Sequence, residues 1–140
     1  IALPTGDVPE PFVDAEDIAD VAVAALTEEG HDYEIYEVTG PRLLTFADVA
    51  HEISNATGRE VGFMQIPKEA FAEAVTDSGA PEELAWLLNY LFETVLDGRN
   101  AYLGNGMQRA LGREPRDFTD FARRTGAQGT WNPDENEVAA

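Results

Sequence analysis

Residues 11–31 read PFVDAEDIADVAVAALTEEGH, a pattern typical of a strand end that runs into a helix. Phe12 and Val13 form a short apolar stretch that predicts the end of a strand. Asp14 is a favourable helix N-cap, and Asp17 follows three positions later as in a capping box. The stretch therefore predicts one strand-to-helix step of an α/β fold.

The helix that follows Asp14 is predicted over residues 15–27. Its apolar residues recur at helical spacing: Ile18, Ala22 and Ala25, with Val21 and Leu26 on the flanks. Gly30 then provides a stop signal.

Downstream of this helix, short alternating stretches are separated by longer helical patterns. The predicted elements are strands over 33–39 and 60–66 and helices over 46–57, 68–77, 81–97, 106–111 and 118–125. Residues 1–10 are predicted to be a loop, and residues 127–140 a flexible acidic tail. The pattern indicates an α/β chain that is helix-rich, with two or three short strands.

The composition is that of one acidic globular domain. The chain has 140 residues, no cysteine and a formal charge of −18, which disfavours binding to nucleic acid or to anionic membranes. No apolar run is long enough to cross a bilayer, and residues 1–140 show no signal-peptide pattern. We therefore expect a cytoplasmic protein. The absence of an initiating methionine at Ile1 leaves a processed, proteolysed or partial chain open.

The charge is distributed unevenly along the chain. Residues 1–100 carry 21 acidic and 4 basic residues, whereas residues 101–140 carry 6 and 5. Lys68 is the single lysine, against eight arginines. A lysine-poor, acid-rich surface is typical of proteins from salt-loving microbes, because molar salt screens the repulsion between carboxylates. An ordinary acidic protein from a GC-rich bacterium is the equal alternative.

The residues that could bind a metal do not form a complete motif. His51 and Glu52 begin the zinc-protease pattern H-E-x-x-H, but the fifth position is Asn55. We interpret His51 and His31 as solvated surface residues. Four clustered acids lack the spacing of a calcium loop, and helix caps and a solvated face explain them: Asp14 and Asp17 as caps, Asp20 as part of the face, with Glu16 between them.

The sequence also contains no complete motif for phosphate binding or for nucleophilic catalysis. Gly104-Asn105-Gly106 is not placed as a dinucleotide fingerprint requires, so turn and cap roles are expected for these glycines. Neither Ser54 nor Ser78 lies in a G-x-S-x-G sequence. The Tyr-x-x-x-Lys pair is impossible because Lys68 is preceded four positions earlier by a methionine. The residues alone therefore predict no catalytic group, no cofactor-binding residue and no metal ligand.

Aromatic side chains are the remaining candidates for a site. Trp86 and Tyr90 stand at i, i+4 on the predicted helix 81–97, where either core packing or an apolar small-molecule pocket would explain them. Ligands of open α/β sheets bind beyond the carboxyl ends of strands. The predicted substrate pocket therefore combines Phe12 and Val13 with Trp86 and Tyr90.

The order of these motifs resembles the second half of NmrA-like NAD(P)-binding proteins, in the atypical short-chain dehydrogenase/reductase superfamily. The similar stretches are F-V-D-A-E-D-I-A at 12–19, Y-E-V-T-G-P at 36–41, L-T-F-A-D-V-A at 44–50 and G-R-E-P-R-D-F-T-D-F-A-R at 112–123. The resemblance covers about residues 3–125. It implies that residues 1–126 form the late strands and helices of a Rossmann-like fold, with a small helical substrate lobe.

The resemblance also implies a function. The family's glycine-rich cofactor loop is absent from this chain, so NAD(P) is expected to bind the complete protein and not this chain alone. The first reading is the substrate-side half of an NAD(P)H-dependent reductase of a small apolar or quinone-like molecule. The alternatives are a non-catalytic NAD(P)-sensing regulator and a stand-alone acidic interaction domain. Since a lone half would expose apolar surface and a strand edge, we expect a homo-oligomer or a complex with the N-terminal half.

Overall fold

A computed structural model describes residues 1–132 of the chain. Its elements are β1 (Ala2–Leu3), α1 (Ala15–Thr27), α2 (Phe46–Thr57), β2 (Met64–Gln65), α3 (Lys68–Asp77), α4 (Glu82–Tyr90), a π-helical turn (Leu91–Val95), α5 (Gly106–Leu111) and α6 (Phe118–Ala127). The fold is helix-rich with two short strands, as predicted. Within residues 1–132, no helix combines the length and the apolarity that crossing a bilayer requires.

Helix caps explain why most predicted helices begin where they do. The side chain of Asp14 accepts a hydrogen bond from the backbone N–H of Glu16, so the Asp14 cap is confirmed. Thr45 and Asp48 form a reciprocal capping box at the start of α2. Asp117 caps α6 through the N–H of Thr119. The helix predicted over residues 81–97 is shorter in the structure. It consists of α4, which ends at Tyr90, and of the π-helical turn, which ends at Val95.

The predicted strand over 33–39 is wrong. In the part of the chain that the structure describes, no strand lies beside this segment, and its carbonyls bond to α5 instead: Glu37 O accepts from Gly106 N (3.1 Å), and Ile35 O accepts from Arg109. Tyr33 adopts a positive φ of 61°, which interrupts an extended run. A strand requires backbone hydrogen bonds to a neighbouring strand, and residues 33–39 form none with the described residues.

The other strand predictions are also corrected. The strand over 60–66 shortens to β2, which pairs in parallel with β1 in a segment that was predicted as loop. Phe12 and Val13 lie in irregular backbone and do not end a strand. An isolated antiparallel bridge between Glu10 and Leu44 precedes them and fixes this segment against the start of α2.

The core lies between α2 and α6 and between α1 and α5. It is built from small and medium side chains: Val21, Ala24, Leu44, Val49, Ala50, Ala85, Met107 and Ala122. On α1 the buried side chains are Asp17, Val21 and Ala24, whereas the stripe that begins at Ile18 faces outward, with Ile18 half exposed. This exposed apolar stripe of α1 is therefore uncovered in the described chain.

The helical lobe, residues 68–95, stands beside this core. It comprises α3, α4 and the π-helical turn, and α3 also touches β1. Phe71 of α3 packs edge-on against Phe92 of the π-helical turn, with ring centroids 5.0 Å apart. This interaction joins the two sides of the lobe.

Residues 127–132 of the predicted tail belong to the last turn of α6 and to a bend beyond it. Trp131 packs edge-on against Phe121, with ring centroids 6.0 Å apart, and its carbonyl accepts from Arg59. The rest of the predicted tail, residues 133–140, lies outside the described residues.

Candidate functional site

Phe12 and Val13 line a cavity of about 280 Å³ between the start of α1 and α6. Its other lining residues are Asp14, Ala15, Arg116, Phe118 and Phe121. Phe12 makes edge-to-face contacts with Phe46 (5.2 Å between centroids) and with Phe118 (5.8 Å). The cavity walls are thus largely aromatic. Phe118 and Phe121 were not predicted as site residues, although their i, i+3 spacing on one helix face was readable from the sequence.

A cluster of ion pairs, which we call the polar wall, adjoins this cavity, and two of its members, Asp14 and Arg116, line it. Asp17 is fully buried and accepts hydrogen bonds from the guanidinium groups of Arg113 and Arg116 and from the backbone N–H of Arg116. Asp20 bonds the same two guanidiniums, at 2.5 Å and 3.0 Å. The interpretation of Asp17 as a cap is therefore wrong, whereas the side chain of Asp20 is 44% exposed and is paired with arginines as well. Burial of the Asp17 carboxylate is tolerated because the two arginines pair with it.

The electrostatics of this wall favour ionised carboxylates. Burial raises the pKa of Asp14, but the backbone N–H of Glu16 and the guanidinium of Arg124 outweigh it and leave that pKa below its usual value. The bonds from Arg116 hold the pKa of Asp20 below its usual range. These ionised carboxylates are paired with arginines, and we interpret the cluster as structural.

Trp86 and Tyr90 form a second aromatic feature on α4. Their rings stack with centroids 5.5 Å apart and planes 12° from parallel. Trp86 is 65% exposed, and Leu84, Leu87 and Tyr90 beside it are also exposed. A groove of about 500 Å³ runs along this face and is lined by Glu82, Glu83, Trp86 and Leu87. We call this surface the aromatic platform.

The structure places the four predicted pocket residues in two separate locations. Phe12 and Val13 belong to the cavity at the start of α1, whereas Trp86 lies in the groove on α4, where Tyr90 stacks on it. Among the described elements, α4 packs on α3 and on the π-helical turn. The two locations are therefore candidate halves of a site and not one continuous pocket within residues 1–132.

The histidines are not arranged as metal ligands. His31 Nδ1 lies 2.8 Å from the hydroxyl of Tyr36, and His51 borders an open groove at the C-terminal end of α2. Among residues 1–132, no three histidine, aspartate or glutamate side chains are grouped so as to hold a metal ion.

The glycine pair at 104 and 106 is used for backbone packing. A Cβ on Gly104 would lie 2.6 Å from the carbonyl oxygen of Glu37, and a Cβ on Gly106 would meet the same atom. The hydroxyl of Thr39 accepts a hydrogen bond from Gly104 N at 3.0 Å. Because this space is filled by the 37–39 backbone, the pair offers no cradle for the phosphates of a dinucleotide.

Glu10 is a buried carboxylate that the sequence did not single out. It is 8% exposed, and its Oε1 has no hydrogen-bond partner among the described residues. Burial, and then the negative charge of Asp97, raise the pKa of Glu10. Such a group costs stability wherever it is ionised.

Comparison with known proteins identifies the class. No known protein-family model matches the chain. The chain is 39% identical over 121 residues to the NAD(P)H azoreductase of Xenophilus azovorans, across 86% of this chain and 42% of that protein.

Two solved structures share the fold. The triphenylmethane reductase of Citrobacter sp. in complex with NADP(H) has a TM-score of 0.77 at 21% identity and covers 90% of this chain and 44% of its own. The NADPH-dependent quinone oxidoreductase of Escherichia coli in complex with NADPH has a TM-score of 0.77 at 21% identity, with 89% and 44% covered. The chain thus spans less than half the length of the relatives it matches.

These matches show that the chain shares the fold of part of Rossmann-like reductases. The chain resembles the C-terminal half of NmrA-like NAD(P)-binding proteins. The resemblance inferred from the sequence is therefore confirmed.

Proposed function

We propose that this chain is the substrate-side half of an NAD(P)H-dependent reductase of the cytoplasm that acts on a small apolar or quinone-like molecule. The observation that carries the proposal is the exposed, stacked pair of Trp86 and Tyr90 on the helical lobe. Large aromatic side chains are costly to leave in water, so an exposed stack of two marks a surface that receives an apolar partner.

The names of the relatives point to the same chemistry. An azoreductase, a triphenylmethane reductase and a quinone oxidoreductase all act on conjugated acceptors. A ring of this kind stacks on an indole with little loss of conformational entropy. The 280 Å³ cavity beside Phe12 is near the lower limit of ligand pockets, about 300 Å³, so it suits one ring or substituent.

The exposed apolar stripe of α1 supports a separate nucleotide-binding half. Ile18 is 50% exposed, Val23 59% and Leu26 85%, on a helix whose opposite side is buried. The 33–39 segment also has no neighbouring strand among the described residues. We propose that the parallel sheet of the NAD(P)-binding half covers both surfaces and supplies the cofactor that this chain does not cradle.

Partner association is tested by sedimentation of the chain at physiological salt. Association with the N-terminal half of an NmrA-like reductase, weakened by Ile18→Asp, is expected. Leu103→Asp, at an exposed position outside α1, is the control. Self-association of the chain would favour a homo-oligomer. If the chain stays monomeric and does not bind the N-terminal half, this part of the proposal is wrong.

Function is tested by NADPH oxidation with menadione, in a protein that contains both halves. The double variant Trp86→Leu and Tyr90→Leu is expected to raise KM more than it lowers kcat, because it removes substrate-binding surface. Leu103→Ala is the control, since Leu103 is an exposed apolar side chain outside the lobe and outside the 33–39 segment. Cofactor binding without turnover would favour the NAD(P)-sensing regulator instead. If the protein neither binds the cofactor nor oxidises NADPH, the remaining hypothesis is the stand-alone acidic interaction domain.

A further inference from the structure

We propose that the aromatic platform selects planar aromatic cations over neutral and anionic rings of the same size. This inference rests on the proposed function, because it names the substrate class that the platform would take. It stands on the juxtaposition of an exposed indole with two carboxylates that line the same groove.

The geometry follows from the helical repeat. Glu82, Trp86 and Tyr90 are spaced four residues apart, so their side chains form one row along α4. Tyr90 stacks against Trp86 from the C-terminal side, whereas the groove lies on the N-terminal side, where Glu82 and Glu83 line it with Trp86. Trp86 is thus stacked on a tyrosine and also lines an acidic groove.

The two carboxylates are available to a ligand. Among the described residues, neither Glu82 nor Glu83 takes part in an ion pair, whereas Glu93 on the following turn is already paired with Lys68 at 2.9 Å. Their position at the positive end of α4 stabilises the helix, but both side chains remain exposed. They can therefore meet a bound charge.

The ring and the carboxylates favour the same ligand charge. The face of an indole attracts a cation, by about 0.5–1 kcal/mol at exposed sites. Carboxylates within a few ångströms add Coulomb attraction for a cation and repel an anion. An uncharged ring gains only the stacking and the apolar contact with Leu87. Charge therefore separates ligands that shape alone would not.

The test uses three ligands built on one ring system: N-methylacridinium, acridine and acridine-9-carboxylate. Binding is measured by quenching of tryptophan fluorescence in the Trp131→Phe variant, which leaves Trp86 as the only tryptophan. The pH is set slightly alkaline so that acridine is neutral. We expect N-methylacridinium to bind about tenfold more tightly than acridine, a ratio that corresponds to about 1.4 kcal/mol, and acridine-9-carboxylate to bind most weakly.

Two variants separate the local carboxylates from the overall negative charge. Glu82→Gln with Glu83→Gln should reduce the preference for the cation to the part that the indole face alone provides, and should leave the affinity for acridine unchanged. Glu28→Gln with Glu29→Gln is the matched control, because it removes two exposed carboxylates at the end of α1 and should preserve the preference. Equal affinities for the three ligands, or an equal effect of both double variants, would overturn the proposal.

The outcome is independent of catalysis. If both halves together fail to oxidise NADPH, the ranking of the three acridines still stands or falls by itself. If turnover is observed but the three acridines bind with equal affinity, the reductase proposal survives and the proposed charge selectivity is wrong.

Discussion

Asp17 Oδ2 accepts a 2.7 Å hydrogen bond from the backbone N–H of Arg116, a residue 99 positions further along the chain. The same carboxylate also bonds the side chains of Arg113 and Arg116. Asp17 is thus held by three donors while it is fully buried. One acidic side chain of α1 fixes the segment that leads into α6.

Asp17→Asn should lower the free energy of unfolding by about 1–3 kcal/mol, because a buried amide cannot accept from all three donors while Arg113 and Arg116 keep only Asp20 as a counter-charge. The measurement is urea unfolding followed by circular dichroism. Asp7→Asn is the matched control, since Asp7 is exposed and the substitution removes the same charge. A loss as small as that of the control would show that the ion pairs are replaceable by water.

Asp117 should make the fold sensitive to acid. The hydrogen bonds from Arg42 hold the pKa of Asp117 well below its usual value, against the opposing effect of burial. A carboxylate with a lowered folded pKa contributes stability above its unfolded pKa, near about 3.9, and that contribution is lost as the pH falls through the folded value.

Asp117→Asn should therefore flatten the acid limb of a plot of unfolding free energy against pH. Asparagine is itself a good N-cap, so α6 should still form. Urea unfolding at a series of pH values measures the effect. An unchanged slope below the unfolded pKa would assign the acid sensitivity to the Asp14–Arg124 pair instead.

Glu10→Gln should stabilise the protein at neutral pH by on the order of 1 kcal/mol, because it removes a buried carboxylate whose Oε1 has no partner in residues 1–132. Since burial raises the folded pKa of Glu10, ionisation opposes folding above that pKa and ceases to oppose it below. The gain should therefore shrink as the pH is lowered.

Thermal unfolding of the Glu10→Gln variant at neutral and at acidic pH checks this sign. Glu28→Gln, an exposed position, reports how much of any gain comes only from lowering the net charge of −18. Equal gains in the two variants would mean that burial of Glu10 is of no energetic consequence.

Gly106→Ala should lower the free energy of unfolding by about 1–3 kcal/mol, the usual cost of overpacking. A methyl group there would meet the backbone of Glu37, which cannot swing away as a side chain could. Gly62→Ala is the control, because nothing lies within 4 Å of its Cβ position. Tolerance of both variants in urea unfolding would indicate that the 37–39 segment shifts freely.

Local signals in the sequence were sufficient for the helices. Asp14, Thr45 and Asp117 each carry a cap that acts within three residues, and all three begin helices as predicted. The strand prediction over 33–39 failed because alternation describes a side-chain pattern, whereas a strand also requires a neighbouring strand. That partner is not supplied by residues 1–132.

The candidate site was predictable only in part. The residue types at Phe12, Val13, Trp86 and Tyr90 suggested apolar surface, but their separation into a cavity and a groove depends on tertiary packing. The pairing of Asp17 with Arg116 could not be read from spacing, since nothing local links residues 99 positions apart. Asp17 looked like a local cap because capping boxes and long-range ion pairs use the same residue types.

The long sequence separation between the aspartates at the start of α1 and their arginine partners also bears on how the chain folds during synthesis. Arg113, Arg116 and Arg124 follow their aspartate partners by 96 to 110 positions, so they leave the ribosome well after Asp14 and Asp17. Until those arginines emerge, Asp17 has no guanidinium to meet and α1 cannot settle on its buried side. Contacts between such distant positions also close large loops, which slows folding. We therefore expect α1 to dock late, so a nascent chain halted before Arg113 should still be open to proteases.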